Sequence, residues 1–219
     1  MKRSTGHRKL VLSYGFVAVI WGCSIAAWGE AQAIDVDVLI KSLARSAPAR
    51  TEFTEVRFSS VLETPLVLRG ELEYRAADSL SKRVSQPYLE ELDIGANEVR
   101  MKREHQPERR FSLARAPELR SLLAGFSGLL SGDRARLAEF FELGATGENN
   151  GWRLTMIPRD SRTRSHLKGI TATGDAGAPR CLIVESADGD ASVMILGAAA
   201  AKPLPDPLTL GGLRFHCRD

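Results

Sequence analysis

The sequence predicts an α+β fold, an antiparallel sheet with apolar helices laid against one face. Three observations predict it. Leu66, Leu68, Leu72 and Tyr74 alternate with Arg69, Glu71, Glu73 and Arg75, the period of a strand with one apolar and one wet face. Similar short runs return downstream, separated by turn-forming residues. Between them lies a stretch of different rhythm, in which Leu119, Leu122, Leu123, Phe126, Leu129 and Leu130 fall at helical spacing.

The elements follow in order. Asp35 or Asp37 can cap a short first helix with Val36, Leu39, Ile40 and Leu43 on one side, stopped by Pro48. Residues 53–61 and 66–75 read as two strands joined through Glu63, Thr64 and Pro65. Further strands are expected over 80–85, 88–94 and 98–102, and around Phe111 and Leu113, making an antiparallel meander. Pro117 suits the first position of the leucine-rich helix, which Gly125, Gly128 and Gly132 thin out. A glycine inside a helix costs about 1 kcal/mol against alanine, so this helix is greasy but weakly held. A second helical piece covers 134–141.

Strands then resume. Residues 142–146, or from Phe140, and 152–158 flank a turn from Gly147 to Gly151, with Trp152, Leu154 and Met156 on one side. A strand over 167–173 precedes a hairpin of 181–186 and 192–196 around Asp188, Gly189 and Asp190. After the extended segment with Pro203, Pro205 and Pro207, residues 210–217 are expected to return as a pairing strand.

The first 33 residues have the layout of a cleavable secretory signal peptide. Lys2, Arg3, Arg8 and Lys9 precede an apolar stretch over 10–25, and Ala31, Gln32 and Ala33 form an A-x-A cleavage site. The exported chain would be a single domain over 34–219. Acylation at Cys23 is a second possibility, though Trp21 is a poor fit beside such a site. The leader holds four of the 30 Lys and Arg and one of the 27 Asp and Glu, so the remainder is neutral. A neutral surface of mixed sign gives no electrostatic reason to expect nucleic acid. Cys181 and Cys217 are the cysteines left after the leader. In an exported chain the pair reads as a disulfide worth roughly 3 to 4 kcal/mol, with two free buried thiols as the alternative.

Nothing in the motifs asks for an enzyme. His105, His166 and His216 stand in no metal-ligand spacing, and no G-x-S-x-G, H-E-x-x-H or glycine-rich phosphate loop occurs. Asp188 and Asp190 lack the other ligands of a calcium loop and read as a solvated turn. No cofactor and no metal is expected. The leucine-rich helix has two readings, an ordinary core helix or a lid over an apolar groove.

Residues 70–87, GELEYRAADSLSKRVSQP, preceded by FTEVRFS at 53–59, resemble the outer-membrane lipoprotein carrier (LolA-like) family, in which a Phe-x-Gln/Glu strand leads to a Gly-Asp/Glu-Leu strand. The helix with LLAGFSGLLSGD, the Gly151-Trp152-Arg153-Leu154 strand and the ADGD hairpin keep the same order. More narrowly, the chain looks like a divergent branch associated with aryl-polyene or xanthomonadin-type lipid export. The resemblance implies a curved antiparallel sheet forming a half-open β-barrel covered by amphipathic lid helices, with an apolar cavity for acyl chains. Its lining would be Val56, Phe58, Leu66, Leu68, Leu72, Tyr74, Trp152, Leu154 and Met156 on the sheet. Leu119, Leu122, Leu123, Phe126 and Leu130 would line it from the lid.

The lid-holding arginine of the family aligns with Ala76, which leaves Arg75 as the candidate for lid control. A monomeric periplasmic carrier follows, shielding an acylated lipoprotein or another lipid between an inner-membrane exporter and an outer-membrane acceptor. The alternative is a lipid- or lipoprotein-binding sensor of the same fold, and less favoured still an enzyme on lipid or glycan. The carrier expectation includes an interior left vacant for its guest.

Overall fold

The computed structural model describes residues 34–218 apart from 77–78, 149–150 and 176–177. The expected leader and Cys23 lie outside the described residues. In chain order the elements are α1 (Val36–Ser42), β1 (Ala49–Phe58), β2 (Leu66–Ala76), β3 (Ser79–Gln86), β4 (Glu90–Ile94), β5 (Glu98–Arg103), β6 (Arg109–Ser112), α2 (Pro117–Ser131), α3 (Arg134–Phe140), β7 (Phe141–Glu148), β8 (Gly151–Pro158), α4 (Ser161–Arg164), β9 (Leu167–Asp175), β10 (Ala178–Ser186), β11 (Ala191–Leu196) and α5 (Leu210–His216).

All eleven strands lie in one antiparallel sheet of order β6-β5-β4-β3-β2-β1-β11-β10-β9-β8-β7. Two meanders, β1 to β6 and β7 to β11, are joined where the first strand pairs with the last, Phe53 opposite Leu196 and Glu55 opposite Met194. β6 and β7 remain as edges, so the curved sheet is unclosed. The connection from β6 to β7 carries α2 and α3, which places both helices over one face.

Alternation sorts the side chains into two clusters on opposite faces. On the covered face Phe53, Leu68, Leu72, Leu80, Leu154, Met156 and Ile170 join Leu39, Ile40 and Leu43 around α1, Leu123 and Leu129 of α2 and Leu137 of α3. On the outer face Val56, Ile183, Val193 and Ile195 pack under Leu213 and Cys217. That second cluster explains one departure from expectation: residues 210–216 form α5 and not a strand. Thr209 caps the helix, Leu213 is fully buried on the sheet, and Cys217 is disulfide-bonded to Cys181 of β10. The helix answers a need for cover on β1, β10 and β11 that a further pairing strand could not meet.

The glycines of α2 also have specific work. Gly132 takes φ +70° as the helix C-cap, a left-handed position suited to glycine. At Gly128 an added Cβ would stand 2.4 Å from Leu137 Cγ, so glycine lets α3 come close. Gly125 faces Phe141, Ile170 and Met156 at ordinary contact distance.

Candidate functional site

The covered face of the sheet is the place where a ligand could be shielded. Leu68, Leu72, Tyr74, Trp152, Leu154 and Met156 are buried there as the alternation predicts, and Leu66 is partly buried at its margin. From above, Leu123 is buried and Leu119, Leu122 and Phe126 are partly buried against the same cluster, whereas Leu130 is partly buried outside it. Sheet and helix residues are thus brought together as expected.

Three expectations are corrected. Val56 and Phe58 belong to the outer cluster under α5, because a strand turns residues of opposite parity to opposite faces and Phe53 holds the covered one. Arg75 shares the outer face with Glu71 and Glu73. Its guanidinium pairs with Glu73 at 2.8 Å and Asp93 at 3.1 Å, committed to the sheet surface and turned away from the lid. The interior is also not vacant. Leu68, Leu154, Met156 and Leu137 are 0% exposed, which leaves no room for a water-sized sphere against them. The cover fills the groove with its own side chains.

α2 is nevertheless the least secured part of that cover. Its N-cap, Ala116, makes no side-chain cap hydrogen bond, where a Ser or Asp would contribute about 1 kcal/mol. Ser127 is buried with its Oγ unpartnered, a further cost of about 1–3 kcal/mol. A groove of about 340 Å³ opens beside Leu122, bordered by His166, Leu167 and Val184.

One feature of the covered face is polar. Glu55, 4% exposed, accepts from Arg57 Nε at 2.9 Å and from Ser192 Oγ at 2.7 Å, and Lys82 ion-pairs with its other oxygen. Lys82 Nζ lies 5.0 Å from the centre of the Phe53 ring. Close by, Arg103 pairs with buried Glu90 through Nε at 2.8 Å and lies 5.3 Å from the Tyr88 ring. Burial alone would raise the Glu55 carboxyl, but the charges of Lys82 and Arg57 override it and hold the pKa at about 2. Burial lowers the Lys82 ammonium despite Glu55 beside it.

Sequence reasoning missed this cluster because Glu55 and Arg57 alternate with Val56 and Phe58. That pattern reads naturally as charges outside and apolar residues inside. The available signal was Phe53, which shares the parity of the charges.

The family model for "Outer membrane lipoprotein carrier protein LolA-like" matches residues 28–207. No curated protein matches the chain. Among solved structures it is similar to a LolA superfamily protein from Nitrosomonas europaea, at 11% identity and a TM-score of 0.41, covering 78% of this chain and 94% of that one. It is also similar to a chain of the MucA/MucB complex of Pseudomonas aeruginosa, at 13% identity and a TM-score of 0.37, covering 73% of this chain and 54% of the other. With most of its length matched and an unclosed antiparallel sheet under helices, the chain belongs to the outer membrane lipoprotein carrier protein LolA-like family.

Proposed function

We propose that the protein is a periplasmic carrier that shields the acyl chains of a lipoprotein or other lipid and ferries them from the inner to the outer membrane. The family's periplasmic lipid- and lipoprotein-binding role supports this at the level of class. The observation that carries it is the seating of α2: a helix with no side-chain cap at its N-terminus and an orphaned buried hydroxyl lies on the apolar face, with Leu119, Leu122 and Phe126 only partly buried against it. Among the described residues no helix is long and apolar enough to cross a membrane.

A groove filled by the protein's own side chains suits a carrier that must also let its guest go. Burying one methylene contributes about 0.8 kcal/mol, so a fully enclosed sixteen-carbon chain gains on the order of 12 kcal/mol. That affinity alone would hinder release. A cover that occupies the groove when no guest is present competes with it, and net affinity falls by the free energy of opening. Transfer needs no chemical step, only a partner that accepts the chain.

Mass spectrometry of the protein purified from the periplasm tests the proposal, with stoichiometric intact lipid expected. Phe126→Asp should abolish retention of a fluorescent acyl probe with the far-UV spectrum unchanged. Protein that carries no lipid and binds no probe would overturn the carrier.

A further inference from the structure

We propose that the cationic end of the covered face, Arg57 with Lys82 and Arg103, receives the anionic headgroup of an acyl ligand. This deepens the carrier reading and rests on it.

The geometry separates the two signs by depth. The carboxylate side chains are the buried partners, Glu55 at 5% exposure and Glu90 at 8%, whereas the guanidinium side chains are open, Arg57 at 37% and Arg103 at 40%. The two guanidinia are therefore the groups open to a ligand, while Lys82, 12% exposed, lies at the depth of the carboxylates. Within this cluster three cations face two carboxylates, which leaves one positive charge for a guest to balance. Donors also remain. Arg57 spends Nε and Nη2 on Glu55, and Arg103 spends Nε and Nη2 on Glu90, so each fork keeps Nη1 for an oxyanion.

Position ties the cluster to the apolar groove. Register places Arg57 across from Leu66 on β2 and Ser192 on β11, and places Lys82 between Leu72 and Leu92. These residues share the covered face with the buried leucines, so charge and apolar strip form one continuous surface. A sheet that needed only a solvated rim would carry its charges on the outer face, where Glu71, Glu73, Arg75 and Arg83 already provide them. An amphiphile fits the juxtaposition: chain under α2, oxyanion on the guanidinia. Carboxylate and phosphate share this chemistry.

The test is displacement of a neutral fluorophore, N-phenyl-1-naphthylamine, from the full exported chain by palmitate, hexadecyl phosphate, methyl palmitate and hexadecanol. The expected result is at least tenfold stronger displacement by the anions than by the ester or alcohol, reduced to about twofold in Arg57→Gln. A phosphate stronger than the carboxylate assigns the site to a phospholipid headgroup, and the reverse order assigns it to a free fatty acid. Equal displacement by all four overturns the headgroup site and leaves acyl binding standing, whereas displacement by none overturns both. The wild-type ligand series decides the matter even if the variant fails to fold.

Discussion

Lys82 on β3 reaches past the whole of β2 to ion-pair with Glu55 on β1. The strand between them presents Gly70 opposite both Phe53 and Val84, so no side chain stands in the path. No other residue fits there, because an added Cβ would lie 1.8 Å from the Arg83 carbonyl oxygen. Removing the carboxylate strands a buried ammonium, which costs about 3–5 kcal/mol. Glu55→Gln is expected to lower the thermal midpoint by about 10 °C. Glu55→Leu combined with Lys82→Met should recover most of that loss, since an apolar pair needs no compensating charge. Circular dichroism melts decide it: a single variant as stable as the wild type would mean that the pair holds nothing.

The same carboxylate sets an acid limit. Its folded pKa of about 2 lies below the ordinary value of 4.5. The stabilisation is therefore present above pH 4.5 and is lost as pH falls towards 2, a loss of about 3 kcal/mol at most. Stability measured by urea unfolding should fall between pH 4.5 and 2, and the Leu/Met double variant should fall less. Identical acid limbs in the two proteins would remove Glu55 as the cause.

Opening of the cover can be pushed both ways from two glycines on one helix. Gly125→Ala places its methyl at 3.7 Å from Ile170 and Phe141, ordinary contact, and gains about 0.5–1 kcal/mol of helix stability. Gly128→Ala drives its methyl to 2.4 Å from Leu137 Cγ, an overpacking that costs about 1–3 kcal/mol. The first variant should melt about 2 °C higher and bind an acyl probe more weakly; the second should melt lower and bind more tightly. If both affinities move in the same direction, α2 does not compete with the ligand.

Much of this arrangement was legible in the sequence where one face is apolar and the other charged. From Leu68 to Arg75 the charged positions alternate with Leu68, Gly70, Leu72 and Tyr74, and the covered and outer faces are assigned as the pattern predicts, with apolar Val67 on the outer cluster as the departure. Trp152, Leu154 and Met156 obey the same rule. The pattern failed on β1, a strand buried on both faces, where Val56 and Phe58 serve α5 and Glu55 and Arg57 serve the interior. Periodicity reports which residues share a face and is silent on which face an element ten strands later in the chain will cover. α5 was lost for the related reason that Leu210 and Leu213 are too few to distinguish a short helix from a strand. The closed interior was beyond any pattern, because the filling of a groove depends on how closely Gly128 lets two helices approach.

The disulfide is what fastens α5 to the sheet. Cys217 closes the helix onto Cys181 across 36 residues of chain, and its carbonyl accepts a hydrogen bond from Thr173 Oγ1 at 2.9 Å. Constraining a loop of that length stabilises the fold by about 4 kcal/mol through the unfolded state. Reduction, or Cys181→Ala with Cys217→Ala, is expected to lower the midpoint by about 8–16 °C. The loss should fall first on the outer cluster of Val56, Ile183, Val193 and Leu213, because α5 has only Leu213 fully buried to hold it once the bond is gone. Hydrogen exchange in the reduced protein should show α5 amides opening ahead of those in β8 and β9. Since the apolar groove lies on the other face, acyl-probe binding at temperatures well below the new midpoint should be unchanged. Binding that is lost in step with the opening of α5 would place a ligand contact on the outer face and reverse the assignment of the two sides.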